Sequence, residues 1–368
     1  MHSNQKGIII IICEFIILLI IAIFSIKTGL NRDHAIYASM YDTDKKFIKW
    51  VSFDVSSTAM EDAYSYDVKS QSKDIKINWI EILSYLGCKY GGDFSSYKKK
   101  NMDDIIGKLE SGKETMKSLT EGMKFYEYYY ESYDAILGGL VGPYKIEVKD
   151  ENAPGGKRWE NKYGLKSFLP IAKYYPYSHF DDFGVSRSYG FRRKHLGHDM
   201  MGQVGTPVIA VESGTIEALG WNQYGGWRIG IRSFDHKRYY YYAHLRKNYP
   251  YNKDLKVGSI VQAGDVIGYL GRSGYSSNEN VNNITTPHLH FGLQLIFDES
   301  QKESNNEIWV DCYDLIQFLS LNRSETVKGT DTKEYHRVYQ YIDPVAEHII
   351  NHRQYKYDDD EFNIKLYE

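Results

Sequence analysis

The stretch KHLGHDMMGQVGTPVIAVESGTIEALGW, from Lys194 to Trp221, decides the fold. It sets two histidines and an aspartate directly before a run of small and β-branched residues that reads as a β-hairpin. Successive side chains of a strand point to opposite faces. His195, Gly197 and Asp199 therefore share one face, while Leu196 and His198 share the other. Ionisable groups at the start of a packed strand cost free energy unless something holds them. His195 and Asp199 can meet one ion, and His198 cannot easily join them.

Further along, HLHFGLQLIF from His288 to Phe297 passes the same test. His288, His290, Gly292 and Gln294 share one face, and Leu289, Phe291, Leu293 and Leu295 form an apolar row suited to a core. If His195 and Asp199 lie on a neighbouring strand, two imidazoles and a carboxylate leave a fourth position open for water. That is the composition of a catalytic zinc site and not of a closed structural one. His244, at the end of the run YYYYAHL, and the histidine of HLH that is not a ligand can take or hold a proton near that position. The flanking runs TPVIAV, GTIEALGW, GWRIGIRSF, GSIVQAG and DVIGYLG, separated by glycine-bearing turns, predict a compact antiparallel β domain, a sandwich or barrel.

The rest of the 368-residue chain divides around this domain. A formal net charge of -3 gives no electrostatic footprint for nucleic acid, so no nucleic-acid partner is expected. Three cysteines, Cys13, Cys88 and Cys312, form no CxxC pair, which excludes a zinc ribbon and a dense disulfide scaffold. GIIIIICEFIILLIIAIFSI, residues 7–26, is long and apolar enough to span a bilayer and has no small-residue cleavage site after it, so it predicts a transmembrane anchor. Its Glu14 costs about 2.5–3.5 kcal/mol at mid-helix, which the surrounding isoleucines offset.

Residues 35–150 carry helical patterning. NWIEILSYLGCKYGG opens on Asn78 as N-cap with Glu81 three residues on, stripes Trp79, Ile82, Leu83 and Leu86, and closes at Gly91. NMDDIIGKLESG reads as a short helix. The recurrence of Met123, Tyr126, Tyr130, Tyr133, Leu137 and Leu140 predicts one helix from Thr120 to Leu140. Residues 150–180 read as a linker or exposed hairpin, 181–300 as the β domain, and 301–368 as a helical, polar C-terminal extension. The predicted fold class is α+β: transmembrane helix, small helical domain, all-β domain, helical extension.

HxxxD, then a His after Tyr-Ala, then HxH followed by Phe resembles the lysostaphin and LytM-type zinc metallopeptidases. GTPVIAVESGTI, YGGWRIGIRS, VGSIVQAGDVIGYLGRSG and PHLHFGLQL extend the resemblance over residues 185 to 298 or so. It implies the β-sheet fold called the duplicated hybrid motif and one zinc ion held by His195, Asp199 and His290. It further implies His244 and His288 as the catalytic pair that orients and deprotonates water and stabilises the oxyanion. Some relatives place an oxyanion-donating tyrosine six residues before the first ligand, a position Tyr189 fills here. Two departures stand out: His198 replaces an aliphatic residue, and YSSNENVNNITTP before His288 is longer than the usual short turn.

The expectation is a membrane-anchored zinc metalloendopeptidase that hydrolyses peptide bonds of bacterial peptidoglycan, with its catalytic domain outside the cytoplasm and the helical region open to a protein partner. The alternative is a catalytically silent, metal-binding scaffold or activator on the same fold.

Overall fold

The computed structural model describes residues 47–188, 192–302 and 306–359, with side chains to residue 352. The predicted span 7–26 and Tyr189 lie outside the described residues. Among the described residues no helix is long and apolar enough to cross a membrane. Residues Ser52 onward form one compact unit.

Five helices come first: α1 (Ser57–Ser70), α2 (Trp79–Tyr90), α3 (Lys99–Glu110), α4 (Met116–Thr120) and α5 (Tyr126–Leu137). Helix α2 starts where the Asn78 side chain accepts from Ile80 and Glu81 N–H, and stops at Gly91, whose φ of 64° reverses the chain. Trp79, Ile82, Leu83 and Leu86 are buried along it, as their spacing predicts. The single helix expected over Thr120–Leu140 is instead two, broken at Gly122 with φ 77°. Tyr133, Leu137 and Leu140 are buried as their spacing predicts, whereas Tyr126 and Tyr130 are only partly so. Tyr129 and Tyr133 turn inward because Gly87 of α2 makes room for them; a Cβ there would sit 2.9 Å from the Tyr133 hydroxyl. Cys88 and Cys312 are free thiols.

Of the two readings of the segment after residue 150, linker or exposed hairpin, the structure has the hairpin. β1 (Val141–Lys149) and β2 (Lys157–Leu165) pair along their whole length as a hairpin, turned by Gly155 and Gly156 at positive φ. Phe168, Leu169, Ile171 and Ala172 then enter the core. Apolar residues at that density give the chain more by burial than a tether would by freedom.

The β region follows as β3 (Ser178–His179), β4 (Ser186–Ser188), β5 (Arg192–Lys194), β6 (His198–Met201), β7 (Pro207–Ile209), β8 (Gly214–Asn222), β9 (Gly226–Ser233), β10 (Arg238–Ala243), β11 (Ile260–Val261), β12 (Val266–Tyr269) and β13 (His288–Leu295). The main sheet is antiparallel in the order β11-β8-β9-β10-β13-β6-β3. β7 and β12 pair separately. Leu289, Phe291, Leu293 and Leu295 are fully buried on one face of β13, with Tyr240 and Tyr242 of β10 beside them.

The C-terminal part is no detached extension. β14 (Ile308–Trp309) adds to β13, and α6 (Tyr313–Leu319) packs on α1. Asp314 there accepts the Ser57 N–H at 2.7 Å, an anion at the helix's positive end, and Phe318 stacks on Trp79 at 5.5 Å. β15 (Thr326–Lys328) pairs with β16 (Tyr335–Arg337), β17 (Tyr341–Ile342) pairs with β1, and α7 (Pro344–Asp359) ends the described chain. His348 and His352 are exposed on α7, where the His352 ring bonds the His348 carbonyl, as a surface helix requires.

One buried ion pair ties the helices to the sheet. Arg238 of β10, 1% exposed, makes two bonds to Glu212 (2.8 and 3.1 Å) and donates to the Ala135 carbonyl at the end of α5 (2.9 Å). Tyr240 donates to the same carboxylate at 2.7 Å. Removing one member of a buried pair strands the other charge. Arg238→Leu is expected to lose about 3–5 kcal/mol of stability in urea unfolding, whereas Lys237→Ala, which breaks a half-exposed contact to Asp134, loses less than about 1 kcal/mol.

Candidate metal centre and groove

The pairing of β6 with β13 sets His290 opposite Asp199 and Phe291 opposite His198. The pairing of β10 with β13 sets Ala243 opposite His290. Directly opposed residues have Cβ atoms about 4.5–5.5 Å apart on one face, so the three strands deliver Asp199, His290 and the end of β10, next to His244, to one row. His195 lies before β6 and reaches the row from the side.

His195 Nε2, Asp199 Oδ1 and His290 Nδ1 lie 3.0, 3.1 and 2.9 Å from one another. Donors at about 2.0–2.1 Å from a tetrahedral zinc stand roughly 3.3 Å apart, so this triangle is close to the right size for one ion. Two imidazoles and one carboxylate leave a coordination position open toward the groove. No other group of three such side chains with this convergence occurs among the described residues.

The tautomers are set by backbone carbonyls, which only accept. His195 Nδ1 donates to the Asp182 carbonyl at 3.2 Å and lies 3.1 Å from its carboxylate. His288 Nδ1 donates to the Thr286 carbonyl and His244 Nδ1 to the Ser273 carbonyl, at 2.8 and 2.9 Å. Each neutral ring thus keeps an Nε2 lone pair. His288 Nε2 stands 3.7 Å from Asp199 Oδ1, and the His244 and His288 rings are 4.8 Å apart. His244 has a left-handed backbone with φ 61°, a cost of order 1–3 kcal/mol for a non-glycine, held by its N–H to the Gly225 carbonyl and by the ring bond to Ser273.

Charge follows the packing. Burial pushes the Asp199 carboxyl upward, but hydrogen bonds from His195 and His290 outweigh it and hold the group well below the usual carboxylate range. Burial lowers His195, yet Asp199 and Asp182 more than reverse it and raise the ring. In His290 burial wins and the ring falls. Burial, reinforced by His288 and His290, takes His244 well below its ordinary value, so it is neutral at neutral pH.

The far side of β6 accounts for His198. Its Nε2 meets His179 Nδ1 at 2.8 Å, and burial, with His179 next, lowers it to about 3. It is a neutral core histidine with a partner, and no member of the metal triangle.

Two residues that the motif does not flag support the ligands. Arg187 binds the Asp182 carboxylate that holds His195, and its Nη2 lies 3.6 Å from Asp199 Oδ2, the oxygen turned away from the triangle. Nothing in their spacing from HLGHD marks them, because β4 and β5 bring them back by a short hairpin. Gly197 matters by what it lacks: a Cβ there would stand 2.5 Å from the His290 ring. The site lies on the floor of a groove of about 1130 Å³, walled by Arg193, Tyr224, Tyr275 and Thr286 and floored by Tyr241 and Trp309. Tyr275 and Thr286 belong to the long segment before His288, so that segment lines the groove.

Partners that orient metal-ligating histidines are worth about 10–100-fold in metal affinity. Asp182→Ala is expected to weaken zinc binding by that factor in competition against a chromophoric chelator, with the fold retained. Gly197→Ala is expected to lower zinc affinity further, by pushing the His290 ring aside.

Residues 193–305 match the family model described as Peptidase family M23. The chain is 42% identical over 125 residues to an L-Ala–D-Glu endopeptidase of Bacillus subtilis, covering 34% of this chain and 36% of that protein. It is 44% identical over 98 residues to lysostaphin of Staphylococcus simulans, covering 26% of this chain and 17% of that one. The catalytic domain of lysostaphin from the same organism, solved as a crystal structure, is 31% identical, covers 38% of this chain and is itself covered to 92%, with a TM-score of 0.30. The chain spans about a third or less of the length of these two curated relatives. With its HxxxD and HxH residues meeting at one point, the chain carries a Peptidase family M23 domain, homologous to the L-Ala–D-Glu endopeptidase and to lysostaphin.

Proposed function

We propose that this protein is a zinc-dependent endopeptidase that hydrolyses a peptide bond of bacterial peptidoglycan. The observation that carries the reading is the convergence of His195 Nε2, Asp199 Oδ1 and His290 Nδ1 in an open groove, with two further histidines beside them whose Nδ1 atoms are engaged by the Ser273 and Thr286 carbonyls. The similarity to an L-Ala–D-Glu endopeptidase and to a peptidoglycan DD-endopeptidase of Vibrio cholerae supports the substrate class. When bound, zinc supplies Lewis acidity at the open coordination position.

The chain's own residues do the remaining work. His288 and His244 present Nε2 lone pairs that accept the proton of an attacking water. The one nitrogen that takes this proton then donates it to the leaving amine. Their Nδ1 bonds to Thr286 and Ser273 keep both rings from turning away. Tyr189 is proposed as an additional oxyanion donor on the strength of its place in the motif alone.

Incubation with purified peptidoglycan should release new amino groups, and a zinc chelator should stop the release. His288→Ala is expected to lower kcat by about 10²–10⁴ while zinc content stays at one per chain. Release without chelator sensitivity would sink the metal reading; zinc retention without any release would favour a silent scaffold.

We further propose that residues 7–26 anchor the protein in the cell membrane as a single span, with residues 52 onward on the wall side. The support is the apolar length of GIIIIICEFIILLIIAIFSI and the location of the substrate class. External protease should degrade the folded region in intact wall-stripped cells; full protection would overturn this orientation.

A further inference from the structure

The groove continues past the metal row. Gln294 lies on the same face of β13 as His288 and His290, four residues beyond His290 and so about 13 Å along the strand at about 3.3 Å per residue. It lines the groove, is 4% exposed, and its carboxamide nitrogen has no hydrogen-bond partner among the described residues. Buried donors in native proteins are normally satisfied. A buried amide in the lining of a groove that lacks a partner is a donor a ligand can satisfy.

The surroundings say what kind of ligand. The register puts Gln294 opposite Tyr239 on one side and Trp309 on the other. In the next row toward the metal, Tyr241 stands between Gly230 and Gly292. A Cβ at Gly230 would come within 1.9 Å of the Tyr239 hydroxyl, and one at Gly292 within 2.6 Å of the Trp309 indole. Both aromatic side chains therefore lean over bare backbone and pave the floor between His290 and Gln294. Flat aromatic surfaces suit planar amide groups. The charges at this end are already engaged: Lys302 pairs with Glu217 at 3.0 Å, and Glu307 accepts from the Trp309 indole N–H at 2.8 Å. Two carboxylates there disfavour an anionic group, while a neutral carbonyl meets no repulsion.

We propose that Gln294 is a substrate-binding residue that donates to a main-chain carbonyl of an extended peptide, about four residues from the bond cleaved. The protein thereby selects peptides long enough to run from the metal row to Gln294. The inference deepens the endopeptidase reading and rests on it.

The test uses the zinc-loaded full chain and two synthetic peptide series that lengthen stepwise on one side of a central bond, one of glycine and one built on L-Ala–D-Glu. Turnover and, by calorimetry, affinity are measured for the wild type, Gln294→Leu and Gln294→Glu. Wild-type affinity should rise once a peptide reaches about four residues past the central bond. Both variants should lose that gain, about three- to tenfold for one neutral hydrogen bond, and treat the shortest peptides as the wild type does. A wild type that gains nothing with length in either series, or variants that keep the gain, overturns the subsite. Should Gln294→Leu misfold by its melting curve or zinc content, Gln294→Glu, of the same shape, decides. Length-dependent binding without turnover would count against the endopeptidase reading and still support the subsite.

Discussion

The pairing of β6 with β13 is the constraint on which the site depends. It places His290 opposite Asp199, and because side chains alternate across a strand, that one registration also sends Leu289 and Phe291 into the core. A slip by one residue would put the histidines in the core and the leucines in the groove. Core burial of four apolar side chains on β13 thus fixes the metal donors to within a hydrogen-bond length. The chemistry of the site is set by the packing of the opposite face.

Around this strand pair the molecule adds supports from distant parts of the sequence. Carbonyls of Asp182, Ser273 and Thr286 set three imidazole tautomers, and Arg187 links the carboxylates of Asp182 and Asp199. The three carbonyls lie on loops and Arg187 on the short strand β4. On the other side, Arg238 and Glu212, both buried, fasten α5 to β10 where an unpaired charge would be costly. The helical region is therefore part of the same compact unit as the sheet, and its packing reaches β10, the strand that ends at His244.

Much of this was legible from local rules. Period-two alternation in HLHFGLQL separated groove-facing from core-facing residues, and the Asn78 cap and Gly91 stop bounded α2; in HLGHD only His198 onward is strand, and Leu196, expected on the far face, lines the groove. Where the reading failed, tertiary contacts had overridden local pattern. Spacing placed Tyr126, Tyr130, Tyr133, Leu137 and Leu140 on one stripe; the last three are buried as expected, but the gap above Gly87 drew in Tyr129 while Tyr126 and Tyr130 stay partly exposed. Residues 150–180, polar and glycine-bearing, read as a linker or exposed hairpin; the hairpin forms, but it begins earlier, and its first strand, β1, pairs with β17, more than a hundred residues later, which no local signal encodes.

The sequence by itself determined which residue types face the groove, since alternation is a property of the strand and needs no partner. It marked His195, Asp199, His288 and His290 as one chemical set. Tertiary structure alone decided how near those donors stand, which nitrogen of each ring points inward, and that Gln294 ends a paved groove instead of finding a partner. These depend on register between strands and on carbonyls far away in the chain. Distances across a sheet are fixed by pairing, and pairing is decided by the whole core.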